Sequence, residues 1–205
     1  MASGTVSGDY FHQDLHVAQK IYERNPRRHL DIGSRVDGFV AHVAVFREIE
    51  ILDIRPLESS VKNIKFTCAD LSAPLPPELI GCCDSLSCLH TIEHFGLGRY
   101  GDPVNYTGYL DGLRNMKQIV QPGGKFYFST QIGPQRVEFN AHRVFSARYL
   151  IELVSADFRI DSLAYVDDHG DLTDAVDLSS PDVQLALDRN FDCNRGVAIF
   201  DLTRL

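Results

Sequence analysis

His29-Leu-Asp-Ile-Gly-Ser-Arg-Val-Asp-Gly-Phe39, followed by Ile49-Glu-Ile-Leu-Asp-Ile-Arg-Pro56, reads as a strand, a glycine turn, a helix and a second strand that ends in an acid. Asp31 and Asp53 stand 22 positions apart, the separation expected when one carboxylate holds a turn and the next strand delivers another to a ribose. Gly33 lets the chain turn sharply and removes a side chain where a ligand must lie against backbone, and Gly38 sits inside the helix start. The outline is that of a nucleoside pocket.

Working outward, Phe11, Leu15, Ala18, Ile21 and Tyr22 recur at helical spacing until Asn25-Pro26, which predicts a leading amphipathic helix over 9–24 and a core over 29–205. Phe39, Val40, Val43, Ala44 and Phe46 mark one side of the helix after the first strand. Ile64-Lys-Phe-Thr-Cys-Ala-Asp70 is a third strand ending in an acid, before proline-rich Ser72-Ala-Pro-Leu-Pro-Pro77 breaks the pattern. A mostly buried fourth strand is expected over 83–92. A helix carrying Tyr109, Leu110, Leu113, Met116, Ile119 and Val120 follows and stops at Pro122-Gly-Gly124. The fifth strand is Lys125-Phe-Tyr-Phe-Ser-Thr-Gln-Ile132, Ser146 is placed to cap a helix with Leu150, Leu153 and Val154, and two last strands are expected at about 158–166 and 195–203. Strands alternating with helices imply an α/β fold with a mostly parallel sheet covered on both faces.

Composition bounds the function. With 205 residues, 44% apolar and 23% charged, the chain is long enough for one α/β domain over 1–205 and short for two. A net charge of −8, with no basic cluster beyond Arg27-Arg28, argues against a nucleic acid partner. No apolar run approaches the roughly 20 residues of a membrane helix, and residues 1–7 lack a basic region followed by an apolar core, so the expected setting is the cytoplasm. Five cysteines without a Cys-x-x-Cys suggest structural thiols, Cys68 and Cys88 within strands. Asp167-Asp-His-Gly-Asp171 has metal-like content, but nothing fixes its geometry and it reads as a solvated acidic loop. A homodimer through exposed Phe and Tyr stays open.

The order of motifs resembles the class I S-adenosylmethionine-dependent methyltransferases over nearly the whole chain: Asp31-Ile-Gly-Ser34, Asp53, Ala69-Asp-Leu71, Leu89-His-Thr-Ile-Glu-His94, and Leu113 through Pro122-Gly-Gly-Lys-Phe126. The resemblance implies a Rossmann-like sheet of seven strands with helices on both faces and one antiparallel strand from a C-terminal hairpin. It also implies S-adenosyl-L-methionine as cofactor and S-adenosyl-L-homocysteine as its product. The cofactor-binding residues would be Asp31, Gly33, Ser34, Arg35, Asp53, Ile54, Asp70, Leu71 and His90. Asp53 would accept from both ribose hydroxyls, whereas Asp70 has two readings, the adenine amino group or a turn. The first loop departs from the family's closely packed glycines, because Gly33-Ser-Arg-Val-Asp-Gly38 lengthens the turn. Arg35 then either meets a carboxylate at the methionine end or stays a solvated loop residue.

The reacting methyl group is expected near His90-Thr-Ile-Glu-His94. His94 is a candidate general base, with a loop-capping role as the alternative, and Glu93 would orient it or hold a cation. Two polar loops, Phe95 to Pro103 and Gly133 to Arg143, should meet above the same sheet edge. Glycines 96, 98 and 101 suit tight turns or a lid, and Arg99, Tyr100, Asp102, Arg136, Asn140 and His142 either offer hydrogen bonds to an acceptor or satisfy one another across the two loops. His142 is a third catalytic candidate. His12, Gln13 and Asp14 on the leading helix either close the pocket or form a polar first turn. The function expected is methyl transfer to a small polar acceptor, such as O-methylation of a sugar or related metabolite. The alternative is a catalytically inactive binding or scaffold protein of the same fold. A nicotinamide-dependent dehydrogenase is disfavoured by the Gly33–Gly38 spacing.

Overall fold

The computed structural model describes residue 4 and residues 6–139 and 141–205. Its leading helix α1 (Asp9–Arg24) ends on Asn25, which adopts a left-handed conformation (φ 47°) and returns its N–H to the Ile21 carbonyl. The first strand β1 (His29–Ile32) is followed by a π-turn (Val36–Val40), the short helix α2 (Ala41–Ala44) and β2 (Ile49–Asp53). Then come β3 (Ile64–Cys68), β4 (Cys83–Leu89), α3 (Gly108–Ile119), β5 (Val120–Ile132), β6 (Arg136–Glu138) and β7 (His142–Val144). The chain closes with α4 (Ala147–Ser155), β8 (Phe158–Val166), β9 (Leu172–Thr173), α5 (Pro181–Asp188) and β10 (Gly196–Arg204).

The central sheet has the order β3-β2-β1-β4-β5-β10-β8-β9. Its β3, β2, β1, β4 and β5 run parallel, while β10 inserts antiparallel to both β5 and β8. This is the mostly parallel Rossmann-like sheet expected, with one difference in strand count. The two-residue β9 pairs with Tyr165 and Val166 and adds an eighth strand at the edge. Such a strand is too short to leave an alternating pattern in the sequence.

Alternation along the strands builds a core on each face. Leu30, Ile32, Leu86, Cys88, Phe126, Phe128 and Phe200 pack under α3 and α4 with Met116, Ile119, Leu150 and Val154. Ile49, Ile51, Tyr127, Val197 and Ile199 pack under α1 and α2 with Val17, Ile21, Phe39, Val40 and Val43. On that second face β1 and β4 carry polar residues instead. His29 meets the Ser85 and Ser87 hydroxyls at 2.8 and 3.2 Å, and Ser87 donates to Asp31 at 2.5 Å.

Several sequence expectations are corrected. Phe46 is 37% exposed and rests edge-on against Tyr22 at 5.4 Å, outside the core, because α2 ends at Ala44. Cys68 is exposed because β3 is the outer strand of the sheet. The fourth strand stops at Leu89, not 92, since His90 turns out of the strand with φ 51°. The polar segment after β5 is not a plain loop: β6 and β7 pair as a small antiparallel hairpin. Asp167 and Asp168 accept backbone N–H groups, from His169 and Asp171 and from Asn194 and Arg195 respectively, and thereby hold turns. None of the described helices is long and apolar enough to cross a membrane.

Candidate active site

The parallel strands deliver their C-terminal ends to one side of the sheet, where open α/β folds bind ligands. At the end of β1, Gly33 has φ 67°, and a Cβ there would lie 2.5 Å from the Thr91 Cγ2. Glycine is therefore required twice over, by conformation and by space. The turn is held from behind by Asp31, whose carboxylate accepts the Ser34 N–H at 2.9 Å, the Ser34 hydroxyl at 2.8 Å and the Ser87 hydroxyl. Burial raises the Asp31 pKa to about 6 against the lowering pull of those three hydrogen bonds. The lengthened turn is absorbed at Gly38, which breaks helical geometry (φ −120°, ψ −114°). A Cβ there would stand 2.9 Å from an oxygen of Asp14.

At the end of β2, the Asp53 Oδ1 accepts the Arg55 N–H at 2.8 Å and the Arg55 Nε at 3.0 Å, and its Oδ2 accepts the Arg55 Nη2 at 2.5 Å. After β3, the Asp70 Oδ1 accepts both the N–H (2.8 Å) and the hydroxyl (2.6 Å) of Ser72. Asn115 of α3 fixes that turn from below through the Leu71 and Ala73 carbonyls, each at 2.8 Å. After β4, His90 and the turn Ile92–His94 present two histidines held in different ways. The His90 Nδ1 meets Glu93 at 3.2 Å, and the Thr130 hydroxyl donates to the other Glu93 oxygen at 3.0 Å. The His94 Nδ1 lies 2.7 Å from the Ala141 carbonyl. A carbonyl only accepts, so Nδ1 carries the proton and Nε2 is the basic nitrogen.

These ends enclose a cavity of about 340 Å³, within the range of small-molecule sites. Gly33, Arg35, Asp53, Ile54, Asp70, Leu71, His90 and His94 line it together. Asp31, Ser34, Glu93 and His142 do not. Asp31 and Ser34 bond each other behind the loop, and Glu93 is 1% exposed with both oxygens engaged, orienting His90 instead of His94. His142 sits beyond His94, ring centres 6.2 Å apart, its Nε2 3.6 Å from Glu138, and burial lowers its pKa. Arg35 pairs with Asp37 and its guanidinium stands 5.9 Å from the Tyr10 ring centre. Asn140 lies outside the described residues.

The sequence reading passed over two contributors, Tyr10 and Arg55, whereas Tyr100 and Asp102, which it named for the acceptor, do line the cavity. Tyr10, not His12, Gln13 or Asp14, reaches the cavity from α1 and stacks on His90 at 4.9 Å. Gln13 and Asp14 are buried beneath it, Gln13 accepting from the Ser129 hydroxyl. Arg55 lines the cavity and lies 4.6 Å from the Tyr100 ring centre. Tyr100 also faces Arg99 and meets His94 edge-on. Asp102 pins the glycine-rich loop by accepting the N–H groups of Gly96, Gly98 and Tyr100, which braces its turns. The only available signal was local: an acid followed two residues later by an arginine, in Asp53-Ile-Arg55, is the pattern of a self-paired turn.

Residues 78–189 match the family model described as "Caenorhabditis protein of unknown function, DUF268", more than half of the chain. The chain belongs to the DUF268 family. No curated protein matches this DUF268 sequence. Solved structures do resemble its fold. The N-methyltransferase NodS from Bradyrhizobium japonicum WM9, in complex with S-adenosyl-L-homocysteine, aligns with a TM-score of 0.62 at 11% identity over 96% of this chain and 88% of its own. The 1,6-didemethyltoxoflavin-N1-methyltransferase from Burkholderia thailandensis, with its namesake compound and S-adenosylhomocysteine bound, gives 0.61 at 13% over 94% and 78%. The [4+2]-cyclase SpnF gives 0.59 at 14% over 92% and 80%. The DUF268 chain thus has the class I methyltransferase fold, as its motifs led one to expect. The cyclase among its neighbours is a reminder that the fold alone does not fix the reaction.

Proposed function

We propose that the chain is an S-adenosyl-L-methionine-dependent methyltransferase that acts on a small polar acceptor by O-methylation of a sugar or related metabolite, leaving S-adenosyl-L-homocysteine. The observation that carries this reading is the convergence of Gly33, Asp53, the Asp70–Leu71 turn and the His90–His94 segment on one cavity. The residues fit the cofactor. Ile32, Leu52, Ile54, Leu71 and Phe95 supply apolar walls for a purine. The Asp70 Oδ2 accepts nothing from a described residue and is open to an amino group. Of the roughly four lone-pair sites of a carboxylate, Asp53 gives three to Arg55 and keeps one on Oδ2 for a ribose hydroxyl. A second comes free when the Arg55 Nη2 moves. Both methyltransferases described above were crystallised with S-adenosylhomocysteine, which supports the reading.

When bound, the cofactor supplies an electrophilic methyl group on a sulfonium. The protein's part is alignment and proton removal. His94 lines the cavity with its tautomer set by the Ala141 carbonyl, so Nε2 can take the proton of an acceptor hydroxyl. Arg99 donates to that same carbonyl at 2.9 Å and stiffens the support. The acceptor is a small molecule, not nucleic acid or membrane, and the five free thiols suit a reducing compartment such as the cytoplasm.

The Arg55–Asp53 pair favours a second reading, a catalytically inactive binding or scaffold protein, because it occupies the acid on which a ribose would depend. Titration calorimetry with S-adenosyl-L-homocysteine, and NAD as control, separates the two. Micromolar binding of the first alone supports the methyltransferase and opens a screen of hydroxylated acceptors. A folded protein that binds neither is the scaffold.

A further inference from the structure

A buried arginine is ordinarily paired with an acid. Arg143 on β7 is 5% exposed, yet the partners of its guanidinium among the described residues are carbonyl oxygens. Its Nη1 donates to the Glu93 carbonyl at 3.4 Å and to the Phe95 carbonyl at 2.5 Å, and its Nη2 donates to the Tyr106 carbonyl at 3.2 Å. None of these three carbonyls accepts from another described residue. The guanidinium carbon lies 4.8 Å from the Tyr109 ring centre, and the Tyr109 hydroxyl is held 2.7 Å from that of Tyr149. A charge is thus taken out of water to meet main-chain oxygens, and the planar fork of arginine is what reaches three of them at once.

Two of those carbonyls belong to the residues on either side of His94. Ala141, two positions before Arg143, accepts the His94 Nδ1–H at 2.7 Å. The backbone and the imidazole of the same histidine are therefore gripped from one short segment, 141–143. That segment is fixed to the sheet just past β7, where the Phe145 N–H donates to the Gln131 carbonyl at 3.1 Å and the Phe145 carbonyl accepts the Gly133 N–H at 3.0 Å. The other bonds of the turn do different work. His94 N–H to Thr91 and Phe95 N–H to Ile92 shape it locally, and Thr130 ties the Glu93 side chain to β5. We infer that Arg143 is a positioning residue for the proposed base: it clamps the main chain flanking His94 to the strand that carries Ala141 and so keeps the ring in its Nδ1–H form, with Nε2 open to an acceptor proton. A bond of 2.7 Å weakens with small displacements, so a turn freed from Arg143 lets the ring leave the Ala141 carbonyl and adopt the Nε2–H form, which accepts no proton at Nε2. The inference rests on the assignment of His94 as the base and adds what places it.

The test reads the His94 ring directly, by nitrogen-15 NMR of the neutral imidazole in the full chain. Arg143→Met keeps only the stem of the side chain, and Arg143→Lys keeps the charge on a single nitrogen. The ratio of Nδ1–H to Nε2–H forms at His94 should fall about tenfold in Arg143→Met, the scale of one lost hydrogen bond, and by less in Arg143→Lys. Exposed His169 serves as the internal control and should not change. Affinity for S-adenosyl-L-homocysteine should stay within about twofold, because Arg143 does not line the cavity. A folded variant whose His94 keeps the wild-type ratio would make Arg143 a tether of the Tyr106 loop alone and overturn the inference. Lost stability cannot imitate the expected result, since it leaves the ring unchanged in the molecules that remain folded. Hydrogen exchange on the wild type covers variants that do not fold. The His94 Nδ1 proton and the Arg143 guanidinium protons should be released in one opening event, and a His94 proton that exchanges well before those of Arg143 would equally overturn it. A wild-type chain that does not bind S-adenosyl-L-homocysteine removes the methyltransferase reading but leaves the His94 ratio to be read, so the two failures are told apart.

Discussion

Arg55 lies along the Asp53 carboxylate, its Nε 3.0 Å from one oxygen and its Nη2 2.5 Å from the other, while its guanidinium covers the Tyr100 ring at 4.6 Å. One side chain thus joins the end of β2 to the loop after β4 across the mouth of the cavity. A ribose diol and this guanidinium compete for the same oxygens.

Two substitutions weigh that competition. Asp53→Ala should weaken S-adenosyl-L-homocysteine by more than about tenfold, a charged hydrogen bond being worth roughly 1.5–3 kcal/mol. Arg55→Gln should leave affinity unchanged or tighten it by up to about fivefold, since the pair, whose arginine is about half exposed, contributes at most about 1 kcal/mol. Calorimetry on both variants decides it. An Arg55→Gln chain that binds much more weakly would make Arg55 a ligand contact instead of a competitor.

His94→Gln should retain cofactor binding and lower turnover on a hydroxyl acceptor by about 10²- to 10⁴-fold, the usual worth of a general base. Glutamine can still donate to the Ala141 carbonyl, so the support survives while the basic nitrogen is lost. Rates and affinity measured side by side separate the two roles, and an undiminished rate would dismiss His94 as the base.

Gly33→Ala should destabilise the fold by about 1–3 kcal/mol or more, from left-handed strain together with the clash on Thr91, and should abolish nucleoside binding. Chemical denaturation gives the first effect and calorimetry the second. A stable Gly33→Ala chain with normal affinity would remove Gly33 from the cradle.

Acid stability turns on two buried neighbours of opposite sign. Burial lowers the His29 pKa to about 3 and raises that of Asp31 to about 6. On acidification the unfolded chain protonates His29 first, near its ordinary value, so that group loses stability from about pH 6.5 downward. Asp31 acts the other way: the folded chain takes its proton first, so stability is gained as pH falls through about 6 toward the ordinary aspartate value near 4. The two effects offset each other between roughly pH 4 and 6. Asp31→Asn removes the compensation, and its melting temperature should decline more steeply than wild type across that interval. Parallel profiles would show that Asp31 is not the opposing group.

What the sequence determined by itself was whatever is written in periodicity and punctuation. The leading helix, the succession of strands and helices along the chain, the turn at Gly33, the acid at the end of β2 and the one after β3, and the Ser146 cap, whose hydroxyl accepts the Tyr149 N–H, all follow from neighbours a few residues apart. Only the tertiary structure decided which polar side chains face the cavity and which face one another. Asp31 and Asp53 look alike in sequence, yet one is buried under Ser34 and Ser87 and the other opens to the site with an arginine across it. Glu93 precedes His94 but serves His90, because the turn after β4 points successive side chains in different directions and Thr130, from a strand 37 positions away, fixes the carboxylate. Tyr10 and Tyr100 meet the site through packing across the whole fold. Such pairings depend on long-range geometry and on the need to satisfy each buried polar atom, and no local pattern in the chain encodes them.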